Sequence, residues 1–431
     1  MSLAARSYFI LALIALLGIV GQWAGAELAP LWRYPAAVWL VAIVYEGLRA
    51  RLLMSRVQLV APERAALGRT LSGEIRIGNP SSQTIKIETM PDLPAELTTL
   101  RTISHWRINA GEEQGRPLKV LPQRLGECHW QHLYTRTLGK LGLAWWNRRV
   151  DLPDTLKVEP DRLQGDERRI GTQQCGDINR NVSGTGHELL GMRDYHPGDP
   201  LKAIDWKATA RSGKHTVRIF SEEQHLELML CIDVGRTSGM QAGNLTRLNH
   251  YANIAARLAE KAILNGDHIG IVVFADKVLA DVAPGRGVAA LHQVRKVLER
   301  LQTVPRESNP LNAALRVRQL VRQRSLVVMF GEIDETTAAR QLLRATQLLT
   351  PKHLPLLAST HDREIEKLYT ETANDWLDPY HAFAARESRH ARQKTNLQLQ
   401  RLGAHIVETY PEHLDQRLLH YYDELRERHS V

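Results

Sequence analysis

Asp233, Ser308, Glu332 and Asp334 are the residues whose types and placement could do chemistry in the second half of the chain. Asp233 follows the apolar run Leu226–Ile232, and Glu332 and Asp334 follow the apolar run Ser325–Phe330. Ser308 opens a helical stretch between those two runs. Carboxylates and hydroxyls that converge at strand ends are hard oxygen donors, and they suit Mg²⁺ or Mn²⁺. Asp and Ser at strand ends also serve as plain helix caps, so the pattern has a structural reading too.

A second concentration of polar residues precedes the first run. Between Gly186 and Glu223, residues Arg193, Asp194, Tyr195, Asp199, Lys202, Asp205, Trp206, Lys207, Arg211 and Lys214 crowd together. His196 to Pro200 reads as a turn, Ala203 to Ala210 as a short helix, and Thr216 to Phe220 as a strand. Several catalytic motifs fail here. His187-Glu188 opens like a zinc-protease HExxH, but position 191 is Gly, so the second ligand is missing. Gly184-Thr-Gly186 lacks the Gly-Lys-Ser/Thr of a phosphate loop, and no GxSxG nucleophile elbow occurs. The charges read either as a surface ion-pair network or as an interaction element. In the packed reading, Trp206 is buried and Asp205 pairs with Arg211.

The elements that must position the acids are α/β. Near-continuous apolar strands at 226–232, 269–275, 325–330, 353–357 and 404–407 alternate with helical patterns at 245–264, 287–301, 309–322, 336–349, 362–402 and 412–428. A strand at 278–282 pairs with 269–275 about a tight turn. Such alternation predicts a mostly parallel sheet covered on both faces, with its site beyond the carboxyl ends of the strands.

Upstream, 57–158 shows short alternating runs such as Leu71–Ile77, Thr84–Glu88 and Cys128–Leu133, punctuated by turn signals at 78–80, 91–92 and 109–111. That predicts a small antiparallel β-sandwich over 51–160. Trp145 and Trp146 are adjacent, so in a strand one faces in and one out. A polar linker and the charged block fill 161–225, and the α/β domain occupies 226–431.

At the start, Ser7 to Ala26 is free of charge, and Leu28 to Leu48 is apolar apart from Arg33 and Glu46. About twenty apolar residues cross a bilayer. We expect a transmembrane hairpin over 1–50, with Arg33 and Glu46 near the ends of the second span. Arg49, Arg51 and Arg56 follow it and place the later domains in the cytoplasm by the positive-inside rule. The competing reading is a signal peptide cleaved near Ala24-Gly25-Ala26.

Composition narrows the classes. The 431 residues are 43% hydrophobic and 24% charged, with a net charge of +9, which excludes a disordered chain. Basic residues are spread along the chain rather than gathered in a stripe, so nucleic acid is not expected as a partner. Three cysteines without a CxxC pair exclude a disulfide scaffold and a cysteine-based zinc site.

Two stretches resemble known families. Leu226 to Met240, LELMLCIDVGRTSGM, resembles the opening of a von Willebrand factor A domain, where an Asp-x-Ser-x-Ser loop begins a metal-ion-dependent adhesion site. Arg193 to Arg211, RDYHPGDPLKAIDWKATAR, is similar to the signature of domain of unknown function 58. The resemblance implies two membrane helices, a β-sandwich, the signature block and an A-like (Rossmann-like) domain, at a bacterial inner membrane. It also implies association with a MoxR-type AAA+ ATPase. Carried over residue by residue, the metal set would be Asp233, Thr237, Ser308 and Glu332. Gly235 stands where the first hydroxyl belongs, and Glu332 where a shorter Asp is expected, so the set is degenerate. The expectation is a non-catalytic, membrane-anchored scaffold. The alternative is a metal-dependent hydrolase working through the strand-end acids.

Overall fold

The computed structural model describes residues 1–24, 30–52, 56–99, 103–152, 155–163, 183–221, 225–332, 336–361, 363–370, 372 and 375–428. Asp334 and Cys175 lie outside the described residues, as does most of the expected linker. The chain divides into two units, Met1–Glu159 and Pro160–Val431.

The first unit begins with a two-residue strand β1 (Ser2–Leu3) and two helices, α1 (Ala5–Ala24) and α2 (Arg33–Leu52). Eleven strands follow: β2 (Arg56–Val60), β3 (Arg64–Ala66), β4 (Leu71–Gly78), β5 (Ile85–Asp92), β6 (Leu97–Thr99), β7 (Ser104–Ile108), β8 (Glu113–Pro122), β9 (Gly126–His129), β10 (His132–Leu138), β11 (Ala144–Asp151) and β12 (Thr155–Glu159). They form sheets of order β1-β11-β10-β5-β7, β2-β4-β8-β6 and β3-β12-β9. All pairings are antiparallel except β3 with β12. Burial alternates along the strands: Ile75, Ile77, Ile85, Ile87, Trp106 and Ile108 are inside while their neighbours are not. This is the pattern of sheets with one face on a core and one face in solvent.

Of the two expected membrane spans, one has the required character. Among the described residues, Ala5–Trp23 alone has the length and hydropathy to cross a membrane, and a signal sequence has the same properties. Helix α2 carries Arg33, Glu46, Arg49 and Arg51 within its twenty residues. Glu46, expected near the end of the second span, is tied to the sheet. It is buried, and its carboxylate accepts hydrogen bonds from the backbone N–H groups of Leu141 (2.7 Å), Gly142 (2.9 Å) and Ala144 (3.2 Å) in the β10–β11 connection. A carboxylate that satisfies three orphan donors is held by the sheet and has no use for lipid. The base of α1 is tied to the same place. Ala4 N–H donates to Leu143 O at 2.9 Å, and Ser7 Oγ donates to it at 2.6 Å.

The second unit opens with a hairpin of β13 (Ser183–Asp194) and β14 (Thr216–Ser221), which bracket the short helix α3 (Trp206–Ser212). The main sheet contains β15 (Glu227–Asp233), then, past a small hairpin of β16 (Gln241–Ala242) and β17 (Leu245–Thr246), β18 (His268–Phe274), β19 (Val278–Gly285), β20 (Ser325–Phe330), β21 (Leu354–Thr360) and β22 (His405–Thr409). Its order is β19-β18-β15-β20-β21-β22, parallel throughout except for the β18–β19 hairpin. The helices are α4 (Arg247–Leu264), α5 (Gly287–Leu298), α6 (Pro310–Leu320), α7 (Thr336–Leu349), α8 (Arg363–Thr370), α9 (Asp378–Arg401) and α10 (Pro411–Arg428). The single helical region read over 362–402 is thus two helices, α8 and α9.

On one face of the sheet, Met229, Cys231, Val327, Met329 and Leu357 pack on Ala313 and Val317 of α6, Leu342 and Ala345 of α7, and Leu399 of α9. The alternate residues Leu228, Leu230 and Ile232 are also fully buried, so the strands are covered on both sides and read as unbroken apolar runs. Burial forces charges here to pair. Arg257 of α4 bridges Asp161 and Asp415, and Arg295 of α5 meets Glu260 at 3.2 Å.

Candidate functional site at the strand ends

β15 sits between β18 and β20, so the strand order reverses beside it. The crevice beyond its carboxyl end is where an open α/β sheet binds ligands. Asp233, Thr237, Ser308 and Glu332 line one recess there, together with Arg236, Arg306, Glu307 and Ala338. The recess is about 10 Å³, the size of one water molecule or a bare ion.

Asp233 is almost fully buried, and its Oδ1 accepts from Gly235 N–H at 2.8 Å. Burial pushes its carboxyl up to about 6; the Gly235 and Ser308 contacts pull it partly back, and Glu332 pushes it further up. Ser308 Oγ faces that carboxylate but is itself buried without a hydrogen bond of good geometry. Gly235 has φ −65° and ψ −179°, open to any residue, yet a Cβ there would lie 3.0 Å from both Arg306 O and Asp233 Oδ1. The missing hydroxyl therefore corresponds to close packing of the loop.

Between about pH 4 and 6 the folded chain holds the Asp233 proton while the unfolded chain releases it, so ionisation opposes folding as pH rises through that window. Asp233→Asn keeps the acceptor for Gly235. It is expected to exceed the wild type in stability by about 1–3 kcal/mol near pH 8, with the gain gone near pH 4. Urea unfolding at both pH values checks this, and equal stability at the higher pH would refute it.

Glu332 is the other acid, and it is committed inward. Its Oε1 accepts from Tyr251 Oη at 2.5 Å and Thr360 Oγ1 at 2.7 Å. Its Oε2 accepts from Ser359 Oγ at 3.3 Å and Arg392 Nη2 at 3.1 Å, with Arg247 Nη1 at 3.7 Å. Burial and the Glu332 charge hold the Tyr251 phenol well above its ordinary value, so it stays a neutral donor. Arg392 also donates to Ser359 Oγ and to Thr360 O at 3.0 Å, and its Nε meets Glu408 at 2.9 Å. Elements β20, β21, α4 and α9 are thus joined through one carboxylate.

These donors do not fit Mg²⁺, which takes six oxygens in near-octahedral geometry. Gly235 supplies none, both Glu332 oxygens are already bonded, and two guanidinium groups line the recess. Among the described residues, no three His, Cys, Asp or Glu side chains gather as a metal cluster. Arg247, Tyr251, Ser359, Thr360 and Arg392 were not foreseen as partners of Glu332. Arg247, an arginine on the first turn of an amphipathic helix, was the one available signal.

The charged block pairs internally. Arg193 binds Asp199 through two 2.7 Å bonds, and His196 N–H adds a third bond to Asp199. This holds the Asp199 carboxyl down at about 2. Asp205 caps α3, accepting from Lys207 N–H at 3.0 Å and Ala208 N–H at 3.1 Å. Its other oxygen meets Arg218 at 2.8 Å, so the partner is Arg218 of β14 and not Arg211. Gly213 closes the helix at φ 70°, which glycine adopts without strain. Trp206 is not buried: it is 65% exposed, and its ring meets His215 edge-on. Asp194, Tyr195, Lys207 and Arg211 lie on the same hairpin-and-helix unit. The expected result of Trp206→Ala is a melting temperature within about 1 °C of wild type, since surface changes usually stay within about 0.5 kcal/mol. A drop of several degrees would restore a packing role.

The second unit is thus a three-layered α/β protein, with a small strand-end recess and an internally paired charged hairpin. Within it, residues 191–367, from β13 into α8, match the family described as "Protein of unknown function DUF58". The Bacillus subtilis "Uncharacterized protein YeaD" is 30% identical over 118 residues, covering 25% of this chain and 28% of that protein. The chain therefore spans well under a third of that relative. Similar solved structures include the conserved hypothetical protein BatB of Bacteroides thetaiotaomicron, 14% identical over 46% of this chain and 99% of that one, with a TM-score of 0.31. Another is proximal thread matrix protein 1 from the mussel byssus, 9% identical over 45% and 43%, with a TM-score of 0.29.

Proposed function

We propose that this chain is a membrane-anchored, non-catalytic binding protein. Its soluble domains face the cytoplasm, and its α/β domain acts as a degenerate von Willebrand factor A-like module that docks a partner over the strand-end face. The partner is a MoxR-type AAA+ ATPase, engaged in assembling or maturing client complexes. One observation carries the reading: Glu332, the acid a metal or a hydrolytic step would need, spends both oxygens on internal partners. The remaining recess is too small for an organic substrate. What it leaves outside is a polar rim of Arg236, Arg306 and Glu307 around half-buried Thr237 and Ser308, suited to a protein contact.

The test is a tagged pull-down of the full chain from its native membranes. Near-stoichiometric recovery of an AAA+ ATPase, lost on Thr237→Arg, is the expected result. Recovery of none with folded bait overturns the partnership. The raised Asp233 carboxyl favours a second reading, a hydrolase with Asp233 as base. It requires Mg²⁺- or Mn²⁺-dependent turnover that Asp233→Ala abolishes.

A further inference from the structure

The first unit holds a cavity of about 370 Å³ where α1 meets the sheet. Its walls include Arg6 from the first turn of α1, Gln83, Thr84 and Lys86 at the start of β5, and Lys140 and Trp145 around the β10–β11 connection. Among the described residues, three cations line it and no Asp or Glu does. Neither lysine is drawn off into an ion pair among the described residues. Arg6 Nη1 reaches Leu141 O at 3.3 Å, which fixes its guanidinium at the rim. The nearby acid, Glu46, lies behind Gly139 and Gly142 and is spent on three backbone N–H groups. The site is therefore a net positive pocket, held open by structure that does not depend on it.

Its position says what would fill it. β1 pairs Ser2 with Trp145 and Leu3 with Ala144, so the chain leaves the sheet edge and enters the membrane-competent helix within two residues. The cavity consequently lies at the level where α1 would emerge from the hydrocarbon. Phosphate groups of lipids occupy that level, and Trp side chains favour it. Trp145 is half-buried on the cavity wall, with Arg136 stacked 5.1 Å from its ring.

We propose that this cavity binds the phosphate headgroup of an anionic phospholipid, with Arg6, Lys86 and Lys140 as its cationic contacts. Arg6 offers a planar fork to two phosphate oxygens, and the lysines act as point charges. Gln83 and Thr84 add neutral polar groups for the rest of the headgroup. The volume is enough for a headgroup, and the acyl chains would stay alongside α1. The inference rests on the reading of α1 as a membrane anchor.

The test uses the full chain in dodecyl maltoside, titrated calorimetrically with three probes: dihexanoyl phosphatidylglycerol, dihexanoyl phosphatidylcholine and inorganic phosphate. The expected result is binding of the phosphatidylglycerol, with the other two at least about tenfold weaker. The double substitution Lys86→Gln/Lys140→Gln should weaken it about tenfold, and Lys86→Arg/Lys140→Arg should restore it. Both lysines are exposed, so folding is expected to survive, and an unchanged melting curve checks that. Equal binding of inorganic phosphate overturns the proposal in favour of a free-phosphate site. Equal binding of phosphatidylcholine, or indifference to the glutamine pair, overturns the charge-selected site. Alkaline extraction of native membranes separately tests the anchor: release of the wild-type chain would sink that reading while leaving the short-chain lipid result to stand alone.

Discussion

Glu332→Ala is expected to destabilise the α/β unit by about 3–5 kcal/mol, the usual cost of removing one partner from a buried ion pair. The side chain is 1% exposed, and the guanidinium groups it faces, Arg247 and Arg392, are 2% and 10% exposed. Removing the carboxylate leaves two cations facing a low-dielectric space, and strips the Tyr251 and Thr360 hydroxyls of their acceptor. Arg392 retains Glu408, so Arg247 should suffer more. Glu332→Gln keeps an acceptor oxygen while losing the charge, and should fall between the two. Chemical denaturation of the full chain, following the α/β unit, measures both. A loss below about 1 kcal/mol for the alanine variant would show that the network is a solvated arrangement of little energetic weight.

Glu46→Ala should produce the second large effect, this time in the first unit. It deprives Leu141, Gly142 and Ala144 of the acceptor for their backbone N–H groups, at about 1–3 kcal/mol for each buried donor that water cannot reach. Hydrogen exchange should show these three amides losing protection together, with a melting temperature several degrees lower. Gly139→Ala probes the same contact from the other side. A Cβ at Gly139 would fall 2.0 Å from Glu46 Cδ, so the carboxylate must move away. Both variants should therefore expose the same amides. Retained protection in either one would mean that the β10–β11 connection holds its shape without the helix.

The two acids show why parts of the chain could be read from sequence and parts could not. Strands such as Leu228–Ile232 and Leu326–Phe330 declare themselves, because a strand covered on both faces must be apolar throughout. The helix Arg247–Leu264 declares itself by its periodicity and by Asn265-Gly266 after it. The placement of Asp233, Thr237, Ser308 and Glu332 around one recess also follows from strand order and the rule for strand ends. Glu46, by contrast, was read as the flank of a membrane span, because hydropathy averages a window and is blind to three N–H groups about a hundred residues away. Trp206 was read as core because large aromatics are usually buried, yet on the first turn of a seven-residue helix it stays mostly in solvent, with an edge-on contact to His215. Asp205 was matched to the arginine nearest along the helix, whereas the β13–β14 hairpin presents Arg218 to it instead.

What the sequence by itself determined is the local grammar: the apolar first helix, the alternating strands of the first unit, the alternation of strand and helix in the second, and the acids at the strand ends. Those signals are short-range, set by side-chain periodicity, turns and caps. Only the tertiary structure decided which acids are free and which are spent. A carboxylate's behaviour depends on the donors and cations brought to it from remote segments, and for Glu332 those come from α4, β21 and α9.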